Sequence, residues 1–384
     1  MSRQPPWMAD PTGGQGKGMP MASGVARTEE VGMRPRNFQG GREAAKSVRL
    51  FFAIAVLLAV TPVLPGCGEN GGEGRKGTGQ SGPQPEKASI CALGVASIAL
   101  AMAQSKGLFE AQGVEVVLKK TSTGTLAMES LYRGECDLAT PSETVVVLQS
   151  FLRQDFRVLA TIASSNNALR ILASRKRGIE KPLDLKGKRI FVPKGSVSHF
   201  FLETYLAKNG LAETDVEIIQ EGVADVTAAF AAGQIDAFCQ TDVMVSKPMM
   251  ALGEDAVVLS QSGLVISSFN LAAMEKVIRE KQEALRRVLA AMIENEKAMR
   301  EVSDDLANTV SAALDIDRRA AEAIVRNYRW KVELSQALLL SLEQEAQWAI
   351  DSGYPSRKRL PNYLDYVHRE ELLSLKPEAV TILP

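Results

Sequence analysis

The sequence predicts an α/β protein built from two Rossmann-like lobes, which are joined by a two-strand hinge and followed by extra C-terminal helices. From residue 88, short apolar runs alternate with segments of helical period, the pattern of parallel sheets covered by helices. Two extended segments, Leu169–Ser174 and Val265–Leu271, are placed to carry the chain between the lobes. Beyond Glu275 the apolar residues keep a helical spacing. We expect lobe 1 in residues 88–174 and 271–384, the latter including the C-terminal helices, and lobe 2 in residues 175–270.

The amino-terminal part has the pattern of an export signal. Residues 1–45 are rich in Gly, Pro and Arg without an apolar period, which indicates a disordered leader or a true start at Met33. Residues 46–67 carry basic side chains and an apolar run that is shorter than the roughly 20 residues needed to span a bilayer. Leu64-Pro-Gly-Cys67 resembles a bacterial lipobox, so we expect Cys67 to be lipidated, with an uncleaved anchor or a plain signal as the alternatives. Residues 68–87 have the composition of a flexible tether.

Composition argues against several classes of protein. The chain has 384 residues with 45 Lys+Arg and 45 Asp+Glu, so no net charge favours a nucleic-acid partner. It has only two histidines, no close-spaced cysteine pair and no Gly-x-Ser-x-Gly motif. We therefore expect neither a metal site nor a cofactor, and no enzymatic activity.

Three cysteines follow the predicted signal: Cys91, Cys136 and Cys239. Each lies in or beside an apolar strand pattern, which favours buried free thiols. If Cys91 and Cys136 lie on neighbouring strands, a disulfide is the alternative in an oxidising compartment.

A strand-to-helix turn near the middle of the chain is the first candidate binding feature. Arg189–Val192 has the pattern of a buried strand, Pro193–Ser196 interrupts it, and a helical period begins at Ser198. Such a turn leaves free N–H groups at the positive end of the helix dipole, which suits an anion. The alternative is that Gly195 shapes the turn and that Ser196 or Ser198 is only an N-cap.

A strand-to-helix turn of the same kind follows three other predicted strands: at Ser97, at Thr121–Thr125 and at Thr140–Ser142. Ligands of open parallel sheets bind at the carboxyl ends of strands, so four such turns predict one shared cleft. Glu143 and Asp242 are candidates to hold an ammonium or N–H group of the ligand, with favourable charge at a helix start as the alternative.

Five segments together are similar to a known family: 107–116, 131–139, 183–190, 195–201 and 232–237. They resemble the extracytoplasmic substrate-binding proteins of ABC importers, in the group that serves sulfonates, taurine, nitrate and the pyrimidine precursor of thiamine. The resemblance implies the type II periplasmic binding protein fold, with the ligand between the lobes. The pocket residues that it implies are Ser97, Ser122, Gly124, Thr125, Thr140, Ser142, Gly195, Ser196, Ser198 and His199.

Two site residues carry open alternatives. His199 is a candidate donor to an anion, or else a surface histidine beside a helix cap. Where many relatives carry a Trp-acid-Pro signature, this chain has Thr241-Asp242-Val243, so the acid is kept and an aromatic wall is lost. Trp330 and Trp348 fall on the late helices; the rings expected near the cleft are therefore Phe200, Phe238 and Phe269.

These patterns predict a monomeric, lipid-anchored solute-binding protein that faces the periplasm or the cell exterior. It would capture a small polar organic anion, of the sulfonate or aminosulfonate kind, and deliver it to an ABC permease in the membrane. One alternative is uptake of a thiamine-precursor pyrimidine or another small heterocycle. Another is an enzyme on the same fold, although those relatives carry a cysteine-rich motif that is missing here. A third is a sensor domain.

Overall fold

The computed structural model describes residues 84–220, 225–314, 316–356 and 358–383. The predicted leader, the signal peptide with Cys67, and all but the last four residues of the predicted tether lie outside these residues. Within the described ranges, the helices lack the combination of length and apolar composition that a bilayer span requires.

Ten strands and thirteen α-helices make up the described chain. The strands are β1 (Glu86–Ala92), β2 (Val114–Lys120), β3 (Leu138–Ala139), β4 (Phe156–Ser165), β5 (Leu169–Ser174), β6 (Arg189–Phe191), β7 (Glu217–Ile219), β8 (Ala237–Thr241), β9 (Ala256–Leu259) and β10 (Ser267–Met274). The helices are α1 (Gly94–Ser105), α2 (Leu108–Ala111), α3 (Gly124–Tyr132), α4 (Glu143–Ser150), α5 (Val197–Lys208), α6 (Val226–Ala231), α7 (Asp242–Leu252), α8 (Glu275–Glu280), α9 (Gln282–Arg300), α10 (Asp304–Leu314), α11 (Arg318–Asn327), α12 (Gln336–Asp351) and α13 (Glu370–Leu375).

The strands form two five-stranded mixed sheets, as the α/β prediction requires. The first has the order β2-β1-β3-β10-β4, and the second has the order β7-β6-β8-β5-β9. In the first sheet β1 pairs parallel with β2 and β3, and β10 runs antiparallel to β3 and β4. In the second sheet β6 pairs parallel with β7 and β8, and β5 runs antiparallel to β8 and β9. The two-lobe, α/β prediction is confirmed.

The two crossings between the lobes lie a few residues away from their predicted positions. Because β5 pairs with β8 and β9, Leu169–Ser174 belongs to the second sheet rather than to lobe 1. Because β10 pairs with β3 and β4, its first residues belong to the first sheet rather than to lobe 2. The chain therefore crosses within 166–168 and within 260–266. An apolar run predicts a strand, but its pairing partner is decided elsewhere in the chain.

Helix α5 packs against the sheet of the second lobe through the face that the spacing of its apolar residues predicts. Phe201, Leu202, Tyr205 and Leu206 are all buried in one core with β5, β6 and β8. At roughly 2 kcal/mol for each large apolar side chain removed from water, this face is sufficient to hold the helix on the sheet.

The C-terminal helices pack mainly on the first lobe. Helix α9 packs on α1, α12 packs on α4, and the residues after α11 bridge to β4 at Ser164↔Arg329 and Thr161↔Glu333. The sequence predicts an apolar stripe on α9 formed by Leu285, Val288, Leu289, Met292 and Ile293. The first four are buried and Ile293 is half-buried, as expected for a packing face. Helix α11 also contacts α7 of the second lobe. The C-terminal helices are thus placed to touch both lobes.

Cys91 and Cys136 form a disulfide with a Cα–Cα distance of 5.9 Å. The favoured prediction of free thiols is wrong for this pair because β1 and β3 are neighbours in the first sheet. Cys239 is a buried free thiol, as predicted. Its Sγ donates a hydrogen bond to the backbone oxygen of Ser198 at 3.3 Å.

Candidate functional site

Three strand-to-helix turns lie side by side at one edge of the first sheet. Strands β2, β1 and β3 are parallel neighbours, so the turns that lead into α3, α1 and α4 leave the same edge. The turns are also bonded to one another. The Leu93 backbone N–H donates to Thr140 Oγ1 at 3.2 Å, and the Thr121 N–H donates to the oxygen of Ala92 at 3.0 Å. The predicted convergence of these three turns is present in the fold.

The start of α1 has no side-chain cap. The helix begins at Gly94, and its N-cap residue Leu93 makes no side-chain hydrogen bond to the first turn. Gly94 has φ +51°, and a Cβ built on it meets no heavy atom within 4 Å. Ser97 is therefore in the first turn of the helix and not at its start, because the left-handed glycine lets the helix begin three residues earlier. The first N–H groups of α1 therefore receive no hydrogen bond from a capping side chain.

The starts of α3 and α4 are capped by side chains. Thr123 Oγ1 accepts from Leu126 N at 3.1 Å, so Thr123, and not the exposed Ser122, caps α3. Ser142 Oγ accepts from Val145 N at 3.5 Å and caps α4.

Gly124 and Thr125 are half-buried in the first turn of α3, and a Cβ on Gly124 would lie 3.0 Å from Val145 Cγ2. The start of α3 therefore packs against α4. Thr140 is fully buried, and it holds the adjoining turns together rather than presenting a free hydroxyl.

In the second lobe, the turn between β6 and α5 is built as the sequence predicts. Gly195 has φ +63°. Ser196 is the N-cap: its Oγ accepts from His199 N at 3.3 Å and donates to the Pro193 oxygen at 2.7 Å. Ser198 is buried, 2% exposed, one residue inside the helix.

This turn meets the first lobe. A Cβ on Gly195 would lie 3.0 Å from Leu148 Cδ1, on α4. The Gly195 N–H also donates to the phenol oxygen of Tyr354, in the segment after α12, at 3.1 Å. A turn that the sequence predicts for the cleft thus lies where the two lobes touch.

His199 is enclosed rather than open to the cleft. Its ring is 3% exposed, with Nδ1 2.5 Å from the phenol oxygen of Tyr354 and Nε2 3.1 Å from Glu203 Oε1. Burial, with a contribution from Lys194, lowers the pKa of His199 to about 4. The surface-histidine alternative is wrong, and a neutral, enclosed ring is a poor donor for an anionic ligand.

Glu143 lies inside the fold. Its Oε2 accepts hydrogen bonds from Ser268 N at 2.6 Å and from Ser268 Oγ at 3.1 Å, which ties α4 to β10. Burial raises the pKa of Glu143 to about 7. Burial and the nearby Glu143 also raise the pKa of Glu345 on α12. Glu143 is the first residue of α4, as the helix-start interpretation requires. Its side chain has no exposed surface and is tied to β10, so it offers no free carboxylate to a ligand.

Asp242 connects the second lobe to the end of α11. Its carboxylate accepts from Asn327 Nδ2 at 2.6 Å and from the Tyr328 hydroxyl at 2.8 Å, and burial raises its pKa. It lines a cavity of about 420 Å³ together with Arg170, whose pKa is lowered by burial. The residues that line this cavity do not include the other predicted binding residues. Asp242 is thus held by protein partners.

Sequence reasoning missed Gly94 and two aromatic residues. Trp348 Nε1 donates to Glu203 Oε2 at 2.7 Å, and the Trp348 ring lies 5.3 Å from that of Phe200. Tyr354 packs on the same side of α5. Gly94 carries a local signal, a glycine directly after a strand, whereas the two aromatic residues lie about 150 positions from their partners. Trp348 lies on α12, as predicted, and packs beside Phe200, one of the expected rings, whereas Trp330 follows α11 and is not on a helix.

Comparison with known proteins agrees with this architecture. The family model described as "NMT1/THI5 like" matches residues 95–301. A Bacillus subtilis (strain 168) protein named "Putative aliphatic sulfonates-binding protein" is 26% identical over 298 residues, which cover 76% of this chain and 87% of the relative. An Escherichia coli (strain K12) protein of the same name is 29% identical over 183 residues, covering 46% of this chain and 56% of the relative.

Solved structures share the fold. The alkanesulfonate-binding protein SsuA from Xanthomonas axonopodis pv. citri, bound to MOPS, has a TM-score of 0.64 and 21% identity, covering 75% of this chain and 99% of that one. The desulfurization enzyme DSZB has a TM-score of 0.55 and 15% identity, covering 76% of this chain and 99% of that one. At these identities the likeness concerns the fold, which is that of periplasmic binding proteins. Because the family model spans more than half of the sequence, the chain belongs to the NMT1/THI5-like family.

Proposed function

We propose that this protein is an exported solute-binding protein that captures a small organic anion between its lobes and delivers it to an ABC permease. The observation that carries the proposal is the start of α1. This helix start has no side-chain cap, and a Cβ on Gly94 would meet no atom within 4 Å. It lies at the edge of the first sheet, where the turns after β2, β1 and β3 are neighbours. The sulfonate-binding names of the relatives support a sulfonate or aminosulfonate as the ligand class.

The chemistry of the turn suits that class. A sulfonate presents three acceptor oxygens, and an uncapped helix start presents N–H donors at the positive end of the dipole. Ser97, Ser122 and Thr125 lie near these helix starts and add hydroxyl donors. The turn at Gly195 of the second lobe lies beside Leu148 of α4. Binding would stabilise the closed lobes, and no bond of the ligand would be broken.

We further propose that the mature protein is held at the membrane by a lipid on Cys67 and acts there as a monomer. The basic and apolar residues before Cys67 and the Gly-rich residues after it support this arrangement. Expression of the full chain with Cys67→Ser should move the protein from the membrane fraction to the soluble fraction. Persistence in the membrane fraction would favour an uncleaved anchor.

A ligand screen tests the proposed function. Linear alkanesulfonates, taurine, nitrate and a pyrimidine are compared by thermal shift and then by calorimetry. A bound ligand at about 100 times its dissociation constant stabilises the fold by about 2.7 kcal/mol. We expect sulfonates to stabilise the protein, to be recovered unchanged after incubation, and to compete with one another. Stabilisation by the pyrimidine alone, or conversion of the sulfonate to a product, would contradict the proposal.

A matched pair of variants tests the position of the site. Gly94→Ala places a methyl group at the open start of α1, whereas Gly134→Ala does so beyond the far end of α3. Both residues have positive φ, +51° and +71°, and neither Cβ meets an atom within 4 Å, so the backbone strain is comparable. We expect only Gly94→Ala to weaken sulfonate binding, by about tenfold or more, which is about 1.4 kcal/mol. Equal affinities in the two variants would remove the start of α1 from the site.

A further inference from the structure

Three metal-ligating side chains come together beside α5. His199 and Glu203 lie one helical turn apart on α5, and Glu213 begins the short 3-10 helix Glu213–Asp215 that follows it. One ligand atom from each residue lies within 4.8 Å of the others. The spacing of four residues places His199 and Glu203 on one face of the helix.

The two separations that involve His199 are close to the edge of a tetrahedral site. Nε2 of His199 lies 3.1 Å from Glu203 Oε1 and 3.7 Å from Glu213 Oε1. Ligands about 2.0–2.1 Å from a tetrahedral zinc ion are about 3.3 Å from one another. The two measured distances lie on either side of this value, so small rotations of the carboxylates would bring all three atoms to one ion.

His199 and Glu203 lie close together, but His199 does not supply a hydrogen bond to the Glu203 carboxylate. Glu203 Oε1 is buried and has no hydrogen-bond partner of good geometry among the residues that the structure describes. Burial raises the pKa of the Glu203 carboxyl, and hydrogen bonds from Trp348 and Ser352 oppose that shift. The ring of His199 is enclosed, with 4% of its side chain exposed, and Nε2 lies 3.1 Å from this oxygen without making a hydrogen bond to it. Gln220 Nε2, at 3.5 Å from the same ring nitrogen, is at the limit of a hydrogen bond. A buried acceptor without a donor is costly, and a cation placed between the acid and the ring would remove that cost.

Both ligands on α5 are oriented by residues from the other side of the lobe contact. Tyr354 Oη lies 2.5 Å from Nδ1 of His199, and Trp348 Nε1 donates to Glu203 Oε2 at 2.7 Å. Partners of this kind fix the ring and the carboxylate of metal ligands and are typical of built metal sites. Glu213, whose side chain is 47% exposed, leaves a path from solvent.

We propose that His199, Glu203 and Glu213 bind one divalent transition-metal ion of the zinc class, with a water molecule as the fourth ligand. A neutral imidazole and two carboxylates carry two negative charges, which the ion neutralises. Nε2 is the metal ligand, and the ring proton is then on Nδ1, within reach of Tyr354 Oη. Because Tyr354 and Trp348 follow or belong to α12, which packs on α4 of the first lobe, the occupied site strengthens the contact between the lobes.

The second cluster of this type, His368, Glu370 and Glu371, does not offer the same geometry. Glu370 lies 3.0 Å from Nδ1 of His368, while Glu371 approaches Nε2. These two contacts are to opposite nitrogens of one ring, and one ion cannot bond to both nitrogens, although one ligand atom from each of the three residues lies within 4.8 Å of the others here too. This cluster supplies the comparison, because it has the same residue types, but its two acids lie nearest to different nitrogens of the ring.

The test is a zinc titration of the full chain, purified without a histidine tag and treated with a chelator. Zinc chloride is added in a calorimeter, and the bound zinc per chain is measured after dialysis. We expect His199→Gln and Glu213→Gln each to bind one zinc ion fewer per chain than the unmodified protein, or to bind it about tenfold or more weakly. His368→Gln should behave as the unmodified protein does.

Glu213→Gln keeps the test decisive, because this half-exposed residue can change without disturbing the core, whereas His199 is part of the buried packing around α5. Far-ultraviolet circular dichroism of each variant checks the fold. Zinc should raise the melting temperature of the unmodified protein and of His368→Gln, but not that of Glu213→Gln. The proposal is overturned if folded Glu213→Gln binds zinc as the unmodified protein does, or if only His368→Gln loses an ion.

Discussion

The phenol oxygen of Tyr354 lies 2.5 Å from Nδ1 of His199 and also accepts a hydrogen bond from the backbone N–H of Gly195 at 3.1 Å. One side chain from the segment after α12 thus holds both the turn and the first helical residues of the second lobe's candidate site. The C-terminal helices, which pack on the first lobe, reach the second lobe through this contact.

Tyr354→Phe removes both hydrogen bonds while keeping the ring. We expect the free energy of unfolding to fall by about 1–3 kcal/mol, because the buried His199 ring and the half-buried Gly195 N–H each lose a hydrogen-bond partner. Sulfonate affinity should fall as well, since the Gly195 turn loses its attachment to the first lobe. Urea denaturation and calorimetry measure the two effects.

Tyr205→Phe, on α5, is the control for that experiment. Burial raises the pKa of the Tyr205 hydroxyl, and no residue in the described part of the chain contributes a charge or a hydrogen bond to that shift. We expect the substitution to change ligand affinity little. If Tyr354→Phe binds sulfonate as tightly as Tyr205→Phe does, the contact with Gly195 does not support the site.

Gly195→Ala and Gly210→Ala separate a clash between the lobes from backbone strain. Both glycines have positive φ, +63° and +77°, and each variant should lose about 1–2 kcal/mol for the left-handed backbone. Only at Gly195 does the new Cβ meet other atoms of the described chain, at 3.0 Å from Leu148 Cδ1 and 3.4 Å from Tyr354 Cε1.

The clash should cost Gly195→Ala roughly a further 1–3 kcal/mol and lower its affinity for ligand. Small-angle X-ray scattering should also show a larger radius of gyration as the lobes move apart. Equal stability and equal size in the two glycine variants would mean that the contact with Leu148 is not maintained in solution.

Reduction of the Cys91–Cys136 disulfide should destabilise the protein. The bond closes a loop with a sequence separation of 45, for which the chain-entropy relation gives about 4 kcal/mol. We expect the midpoint of urea unfolding to fall when a reductant is added. The double variant Cys91→Ser with Cys136→Ser should start from that lower midpoint and show no response to reductant. An unchanged midpoint in the unmodified protein would indicate that the bond does not form.

The raised pKa of Glu143 predicts that the protein loses stability as the pH rises. Burial raises its pKa from 4.5 to about 7, so the folded protein retains a proton that the unfolded chain releases. Its contribution is therefore fully present below pH 4.5 and is lost as the pH rises to about 7, with a total on the order of 3 kcal/mol. The pKa of Glu345 is raised too, so it acts in the same direction.

The variant Glu143→Gln isolates this contribution. An amide cannot ionise, so the free energy of unfolding should fall less between about pH 5 and pH 8 than it does in the unmodified protein. Denaturant unfolding at both pH values measures the difference. Identical pH dependence of the two proteins would show that Glu143 ionises in the fold as freely as in the unfolded chain.

Local sequence patterns are sufficient to predict the parts of the site whose structure depends on residues near in sequence. The strand at Arg189, the turn at Gly195 and the buried face of α5 are all predicted, because strand and helix periods and turn residues act over a few positions. The predicted start of α1 is Ser97 rather than Gly94, because the left-handed conformation of a glycine does not follow from its identity alone.

The α/β class, the order of the elements and the turns that could bind an anion thus follow from the order of the amino acids alone. Which of those residues are free to bind depends on contacts across the fold. Such contacts bury Glu143 against Ser268, enclose His199 beside Tyr354, and pair Cys91 with Cys136. Each joins positions that are 45 or more residues apart. The physical reason is that burial and pairing depend on packing, and packing is set by the whole chain rather than by local period.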